Sequence, residues 1–344
     1  MINGHGDDFS GTLVANFSSN VWYGADNSAL FAHLNQSFSL LARYPEVDAK
    51  SVRKLIAKRE FVNEENIVVC NGSVEAIYLI AQNYAGCQSI IVSPTFSEHA
   101  DACKLYNHQV KKVNRKLLLQ ELDTNSPNLC WICNPNNPDG FCYSSSELLS
   151  LIERFPETIF VIDQAYWQFT QKEPLATNLV LKHPNLILIH SLTKRYAIPG
   201  LRIGYLYASA EIVLGINSYK QPWSVSTLAL EAAKFIITSN KDEFSLNEWL
   251  RVTDEFQNAL ADLDVLEIYP SETPFFLAKL RVGKASELKS FLLERGLLIR
   301  DATNFDLLEG EFIRLNTLDE ASNKLLINTL HQWKPSTAPL SLSL

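Results

Sequence analysis

Between residues 65 and 210 short apolar runs alternate with stretches of helical period. NIVVC ending at Cys70, SIIVS at 89–93, LCWIC at 129–133, TIFVID at 158–163, LILIHS at 186–191 and IGYLYA at 203–208 read as strands. Helices are predicted from Val74, from about Ser97 and near 145–154. Strands separated by helices in this way predict an α/β domain with a mostly parallel sheet and helices packed on it.

After about residue 240 the pattern changes. A long helix is predicted through LNEWLRVTDEFQNALADL, then short strands at VLEIYP, PFFLAKL, LLIR and EFIRLNT, with helices near 286–294 and 319–332. This reads as a separate, smaller α+β unit. The expected organisation is a large domain over 31–240, a small domain over 241–334 and a loose Pro- and Ser-containing tail over 335–344.

The 344 residues are 47% hydrophobic and 20% charged, as in an ordinary globular protein. The net charge of −8 argues against nucleic acid or an anionic membrane as a partner, so any anionic ligand needs a local site. The opening MINGHGDDFSG has neither the basic region nor the apolar stretch of a signal peptide, and no later run has the length of a membrane span. A cytoplasmic location is expected. Cys130 and Cys133 form a C-x-x-C within LCWIC, but residues three apart on a strand point to opposite faces, and no second pair follows. Structural thiols and no metal are expected there.

Candidate chemistry centres on Lys194. By itself a lysine after an apolar strand is a surface charge, but this one closes Ser191-Leu192-Thr193-Lys194 and precedes Arg202 by eight residues. Open α/β sheets bind ligands beyond their strand ends. An amine there can attack a carbonyl carbon, while hydroxyls and an arginine hold a phosphate. Asp163 closes another strand 31 residues earlier. At Asn71-Gly72-Ser73-Val74 a strand breaks and a helix starts, an arrangement that exposes backbone N–H groups to an anion. Arg314 sits in an apolar strand, where an unpaired guanidinium would be costly.

The run SLTKRYAIPGLRIGYL, with NPNNPDG at 134–140, DQAY at 163–166 and RYPE at 43–46, resembles the fold-type I pyridoxal phosphate enzymes. The resemblance is strongest to histidinol-phosphate aminotransferases and threonine-phosphate decarboxylases, and spans about His5 to Arg314. It implies an aminotransferase-like fold, with pyridoxal 5'-phosphate held by Lys194 and Asp163 facing the pyridine nitrogen. Asn137 and Tyr166 would contact the phenolic oxygen and Phe96 would stack on the ring. Gly72, Ser73 and Val74, with Ser191, Thr193 and Arg202, would surround the phosphate. Tyr44 would reach the cofactor phosphate of a neighbouring subunit, so a homodimer with shared active sites is implied. Arg314 would clamp a substrate α-carboxylate. Asn20, from an amino-terminal arm over 1–30, would add a substrate contact, and Arg300 a further anion contact.

The shared motifs leave open which bond at the substrate's Cα breaks. Three features favour decarboxylation of L-threonine O-3-phosphate to (R)-1-amino-2-propanol phosphate, a step of cobalamin biosynthesis. They are His5-Gly6, expected at the substrate phosphate, the close match of SLTK-x-YAIPGLR, and Gln221-Pro222-Trp223-Ser224-Val225. The alternative is histidinol-phosphate aminotransferase or a related class I/II aminotransferase. A non-catalytic binding protein keeping the fold is a more distant one, and no G-x-G-x-x-G supports a nicotinamide enzyme. The chain departs from the family pattern at Asp139, at Gln164 and over Val21-Trp22-Tyr23-Gly24, the last expected near the substrate.

Overall fold

The computed structural model describes Asp7, Phe9, residues 11–239 and residues 244–334. A short strand β1 (Ala15–Asn16) is followed by helices α1 (Ser28–Gln36) and α2 (Lys50–Glu60). Strands and helices then alternate: β2 (Ile67–Cys70), α3 (Gly72–Asn83), β3 (Gln88–Ser93), α4 (Glu98–Leu105), β4 (Gln109–Asn114), α5 (Leu118–Asn125), β5 (Leu129–Cys133) and α6 (Ser145–Arg154). Next come β6 (Ile159–Asp163), β7 (Leu186–Ser191), β8 (Gly204–Tyr207), α7 (Ala210–Asn217) and α8 (Thr227–Thr238). The remainder is α9 (Leu246–Ala261), β9 (Leu266–Ile268), β10 (Phe275–Leu280), α10 (Ala285–Leu293), β11 (Leu297–Leu298), β12 (Arg300–Asp301), β13 (Phe312–Asn316) and α11 (Glu320–Leu330).

Seven strands form one sheet in the order β2-β8-β7-β6-β5-β3-β4. All are parallel except β8, which runs antiparallel to β7 and β2. The expected α/β architecture, mostly parallel, is present. Its apolar runs are buried throughout because helices cover both faces. In β5, Cys130 and Ile132 join the core on one side while Trp131 joins the core on the other. β4 is an edge strand with exposed Gln109, Lys111 and Lys112, so it carries no apolar run. Pairing with β3 makes it a strand, and its lysines oppose pairing with another chain.

The smaller unit is a four-stranded antiparallel sheet in the order β12-β13-β10-β9, packed with α9, α10 and α11. The amino-terminal segment belongs with it: β1 pairs in parallel with β11, and Ala15 and Phe17 enter its core. Among the described residues no helix is long and apolar enough to cross a membrane.

Candidate active site

The parallel strands deliver their carboxyl ends to one edge of the sheet, and β8, running the opposite way, begins there. Asp163 thus ends β6, Lys194 lies just past β7, Asn137 follows β5, Phe96 follows β3, Gly72 opens α3 after β2, and Arg202 precedes β8. Most of these residues line one cavity of about 80 Å³, whose walls also include Ser73, Val74, Tyr166 and Thr193.

The Lys194 Nζ lies 5.5 Å from the centre of the Tyr166 ring. Tyr166 is held by Phe275, ring centres 4.8 Å apart, and by Phe169. Asp163 is buried; its Oδ1 accepts from the Ala165 N–H at 3.0 Å and its Oδ2 from His99 Nε2 at 3.1 Å. The sequence reading missed His99. A signal was present: a histidine three residues after Phe96, in the first turn of α4, is carried back under the strand ends. Its ring packs against Trp131 and Phe96, so Asp163 is held by a residue that is itself immobilised. Cys133 completes this wall; burial, with the Asp163 charge beside it, pushes its thiol well above the usual range, and the neutral Sγ donates to the Pro135 carbonyl. Cys130 is also buried and free, on the other side of the strand. No metal-binding group of side chains occurs among the described residues.

At the opposite end, Gly72 has φ +78°, and a Cβ there would lie 2.4 Å from Arg202 Nη2. The guanidinium therefore lies directly over the start of α3, where free backbone N–H groups and the helix dipole favour an anion. Arg202 itself adopts the left-handed conformation, and its Nη1 donates to the Pro199 carbonyl at 3.1 Å. Ser191 is placed differently from Thr193: it lines a separate cavity of about 480 Å³ behind the Lys194 loop, and its hydroxyl is 2.8 Å from that of Thr193. An amine, a buried carboxylate and a cationic cradle that excludes a Cβ fit pyridoxal phosphate, which presents an aldehyde, a pyridine nitrogen and a phosphate.

A second cavity of about 40 Å³ shares Phe96 and Asn137 with the first and is lined by Arg300, Arg314, Thr95 and Asn304. Arg300 and Arg314 stand opposite each other across β12 and β13. The buried Arg314 donates from Nη1 to Asn137 Oδ1 at 2.6 Å and from Nη2 to the Ser18 carbonyl. Burial lowers its pKa to about 10, with the Arg300 charge acting in the same direction. Because Asn137 accepts from Arg314, its N–H groups are the ones able to donate to a ligand. Arg300 donates to Asn304 Oδ1 at 2.8 Å. The Thr95 hydroxyl is buried without a hydrogen-bond partner.

Asn20 is buried, and neither its Nδ2 nor its Oδ1 has a hydrogen-bond partner. The divergent Val21–Gly24 segment lies behind Lys194: the Trp22 N–H donates to the Lys194 carbonyl at 3.0 Å, and Trp22 lines the larger cavity. Asp139 ties its turn together, accepting from Asn136 Nδ2 at 2.7 Å and from Arg115 Nη1 at 2.6 Å. Gln164 is buried, with its Oε1 3.1 Å from His190 Nε2. Tyr44 is 84% exposed, packed on Trp223 and outside both cavities of its own chain. His5 lies outside the described residues.

Residues 13–330 match the family model for aminotransferase class I and II. A protein of Caldanaerobacter subterraneus subsp. tengcongensis named for threonine-phosphate decarboxylase is 30% identical over 312 residues, 84% of this chain and 83% of the relative. A histidinol-phosphate aminotransferase of Bacillus pumilus is 29% identical over 311 residues, 84% and 82% of the two chains. The crystal structure of L-threonine-O-3-phosphate decarboxylase from Porphyromonas gingivalis superposes with a TM-score of 0.90 at 40% identity, covering 93% of this chain and 99% of that one.

Proposed function

The chain belongs to the class I and II aminotransferase family, fold-type I enzymes of pyridoxal phosphate, and within it we propose that this enzyme decarboxylates L-threonine O-3-phosphate to (R)-1-amino-2-propanol phosphate. The observation that carries the reading is the pair of guanidinium groups, Arg300 and Arg314, on one small cavity beside Lys194. Threonine phosphate brings two anions, a carboxylate and a phosphate, whereas histidinol phosphate brings one and needs room for an imidazole. The 40% identical structure supports the same substrate. The identity to histidinol-phosphate aminotransferase supports transamination as a second reading.

Bound pyridoxal phosphate supplies an electron-withdrawing ring that weakens the bonds at the substrate's Cα. In this reading Lys194 would hold the cofactor, and its amine would stand where it can return a proton to the substrate's Cα. Asp163, held by His99, would hold the pyridine nitrogen in its protonated form. Tyr166 and Asn137 would donate to the phenolic oxygen, and Phe96 would cover the ring. Gly72, Ser73, Val74, Thr193 and Arg202 hold the cofactor phosphate, with Ser191 supporting Thr193. Arg314 and Asn20 would take the substrate carboxylate and so fix which bond at Cα is presented for cleavage. Arg300 and His5 take the substrate phosphate. The enzyme acts in the cytoplasm as a homodimer in which the partner subunit's Tyr44 completes the cofactor phosphate site.

The test is direct. Protein mixed with pyridoxal phosphate should show the absorbance band of the lysine-bound cofactor, and Lys194→Ala should abolish it. Threonine phosphate should release carbon dioxide without a keto acid. Faster conversion of histidinol phosphate, dependent on 2-oxoglutarate, would transfer the assignment to the aminotransferase.

A further inference from the structure

Among the described residues, Asn20 Nδ2, Asn20 Oδ1, Arg314 Nε, Asn316 Oδ1 and Thr317 Oγ1 are buried without a hydrogen-bond partner. They belong to two segments that face each other, the arm around Asn20 and the end of β13. Buried polar atoms left unmet cost free energy, so an accumulation of them marks a place organised for a ligand or water. Asn316 joins the two segments. It is fully buried, its backbone N–H donates to the Phe17 carbonyl at 2.9 Å, and its Nδ2 donates to the Val21 carbonyl at 3.0 Å. One residue thus pins both ends of segment 17–21.

That segment bears on both halves of the site. The Ser18 carbonyl within it accepts from Arg314 Nη2, and the next residue, Trp22, donates to the Lys194 carbonyl. With Asn137 holding Nη1 from the other side, the guanidinium is fixed from two directions and its Nε–H is left without a partner. Asn20 lies inside the pinned segment, one residue before the carbonyl that Asn316 holds.

We propose that Asn316 is a positioning residue for the substrate carboxylate: by clasping segment 17–21 to the end of β13 it sets the Arg314 guanidinium and the Asn20 carboxamide for joint use by one carboxylate. This rests on the reading of Arg314 as the carboxylate site. Asn316 itself lines neither of the two cavities beside Lys194. Its amide donor holds the Val21 carbonyl, and releasing that carbonyl lets the Ser18 carbonyl and Asn20 drift from Arg314.

Two variants of the enzyme loaded with pyridoxal phosphate test this. Asn316→Asp keeps the shape and removes the donor; Asn316→Leu also removes the polarity. Without substrate, hydrogen–deuterium exchange of peptides covering 15–24 should quicken about ten-fold, the loss expected for a buried hydrogen bond, while peptides covering 186–191 stay unchanged. KM for threonine phosphate should rise about ten-fold with kcat falling less than about three-fold, and binding of 1-amino-2-propanol phosphate, which lacks the carboxylate, should stay within about two-fold. Unchanged exchange at 15–24 overturns the proposal, as does an equal loss of affinity for both ligands. A wild type that binds neither ligand overturns the decarboxylase reading instead, and the exchange result then decides the clasp by itself.

Discussion

Gly72→Ala places a single methyl group against the cationic end of the cavity beside Lys194. The new Cβ would stand 2.4 Å from Arg202 Nη2 and 2.9 Å from its Cζ, separations that no packed structure tolerates. The clash is with the tip of a flexible side chain, so the guanidinium moves and the fold survives. The backbone cost is that of an alanine held at φ +78°, about 1–2 kcal/mol. A charge-assisted hydrogen bond to phosphate contributes about 1.5–3 kcal/mol, so displacing Arg202 should weaken pyridoxal phosphate binding by about ten- to hundred-fold. Titration of cofactor-free protein, followed at the band of the lysine-bound cofactor, measures this directly. Arg202→Gln should cost a similar amount, and the double variant little more than either alone, because both act on one contact. Gly204→Ala is the contrasting control: its Cβ would meet the backbone atoms Ser73 N at 2.6 Å, Gly72 C at 2.9 Å and His190 O at 2.9 Å, none of which can step aside. That variant should lose stable folding, measured by thermal unfolding. A folded Gly72→Ala protein that binds the cofactor within about three-fold of wild type would refute the placement of Arg202 over the phosphate.

Arg314→Lys keeps a positive charge but loses the two-pronged geometry, and should raise KM for threonine phosphate by about ten-fold or more in steady-state kinetics. Arg300→Gln should raise KM for phosphothreonine while leaving the much weaker binding of unphosphorylated threonine unchanged, as read by competition. His190 is pushed down to about 3 from an ordinary 6.5, by burial and the nearby Arg59 charge. Between those values only the unfolded chain takes up the proton, so its contribution to stability is complete above pH 6.5 and is lost as pH falls toward 3. By pH 5 the loss is about 2 kcal/mol, and urea unfolding of His190→Gln at pH 7.5 and pH 5 should lack that difference. The Cys130 thiol, buried in the core and raised by burial, should react with a thiol reagent only at the rate of unfolding, and a chelator should leave activity unchanged.

Much of the sheet was legible in the sequence because strands with both faces covered, the edge strand β2 among them, appear as unbroken apolar runs, from Ile67–Cys70 to Leu186–Ser191. β4 was not, since an edge strand with Lys111 and Lys112 carries no such run and depends on β3 for its existence. At the site, Lys194, Asp163, Gly72 and Arg202 could be read from their own surroundings, each lying next to a strand end or a helix start that its neighbours announce. His99 offered only its place three residues after Phe96, because its significance lies in a carboxylate 64 residues away. Ser191 looked equivalent to Thr193 in the motif, yet the turn after β7 directs the two toward different cavities.

By itself, then, the amino-acid sequence determined which segments bury themselves, where the chain must turn, and which chemically active side chains stand at those turns. Tertiary structure alone decided that Arg314 shares Asn137 and the Ser18 carbonyl, that Arg300 faces the same cavity, and that Asn316 clasps the arm behind Lys194. The reason is the range of the forces recorded. Hydrophobic period and turn chemistry act between neighbours along the chain, whereas strand order and register bring together residues up to 296 positions apart, and no local pattern encodes that meeting.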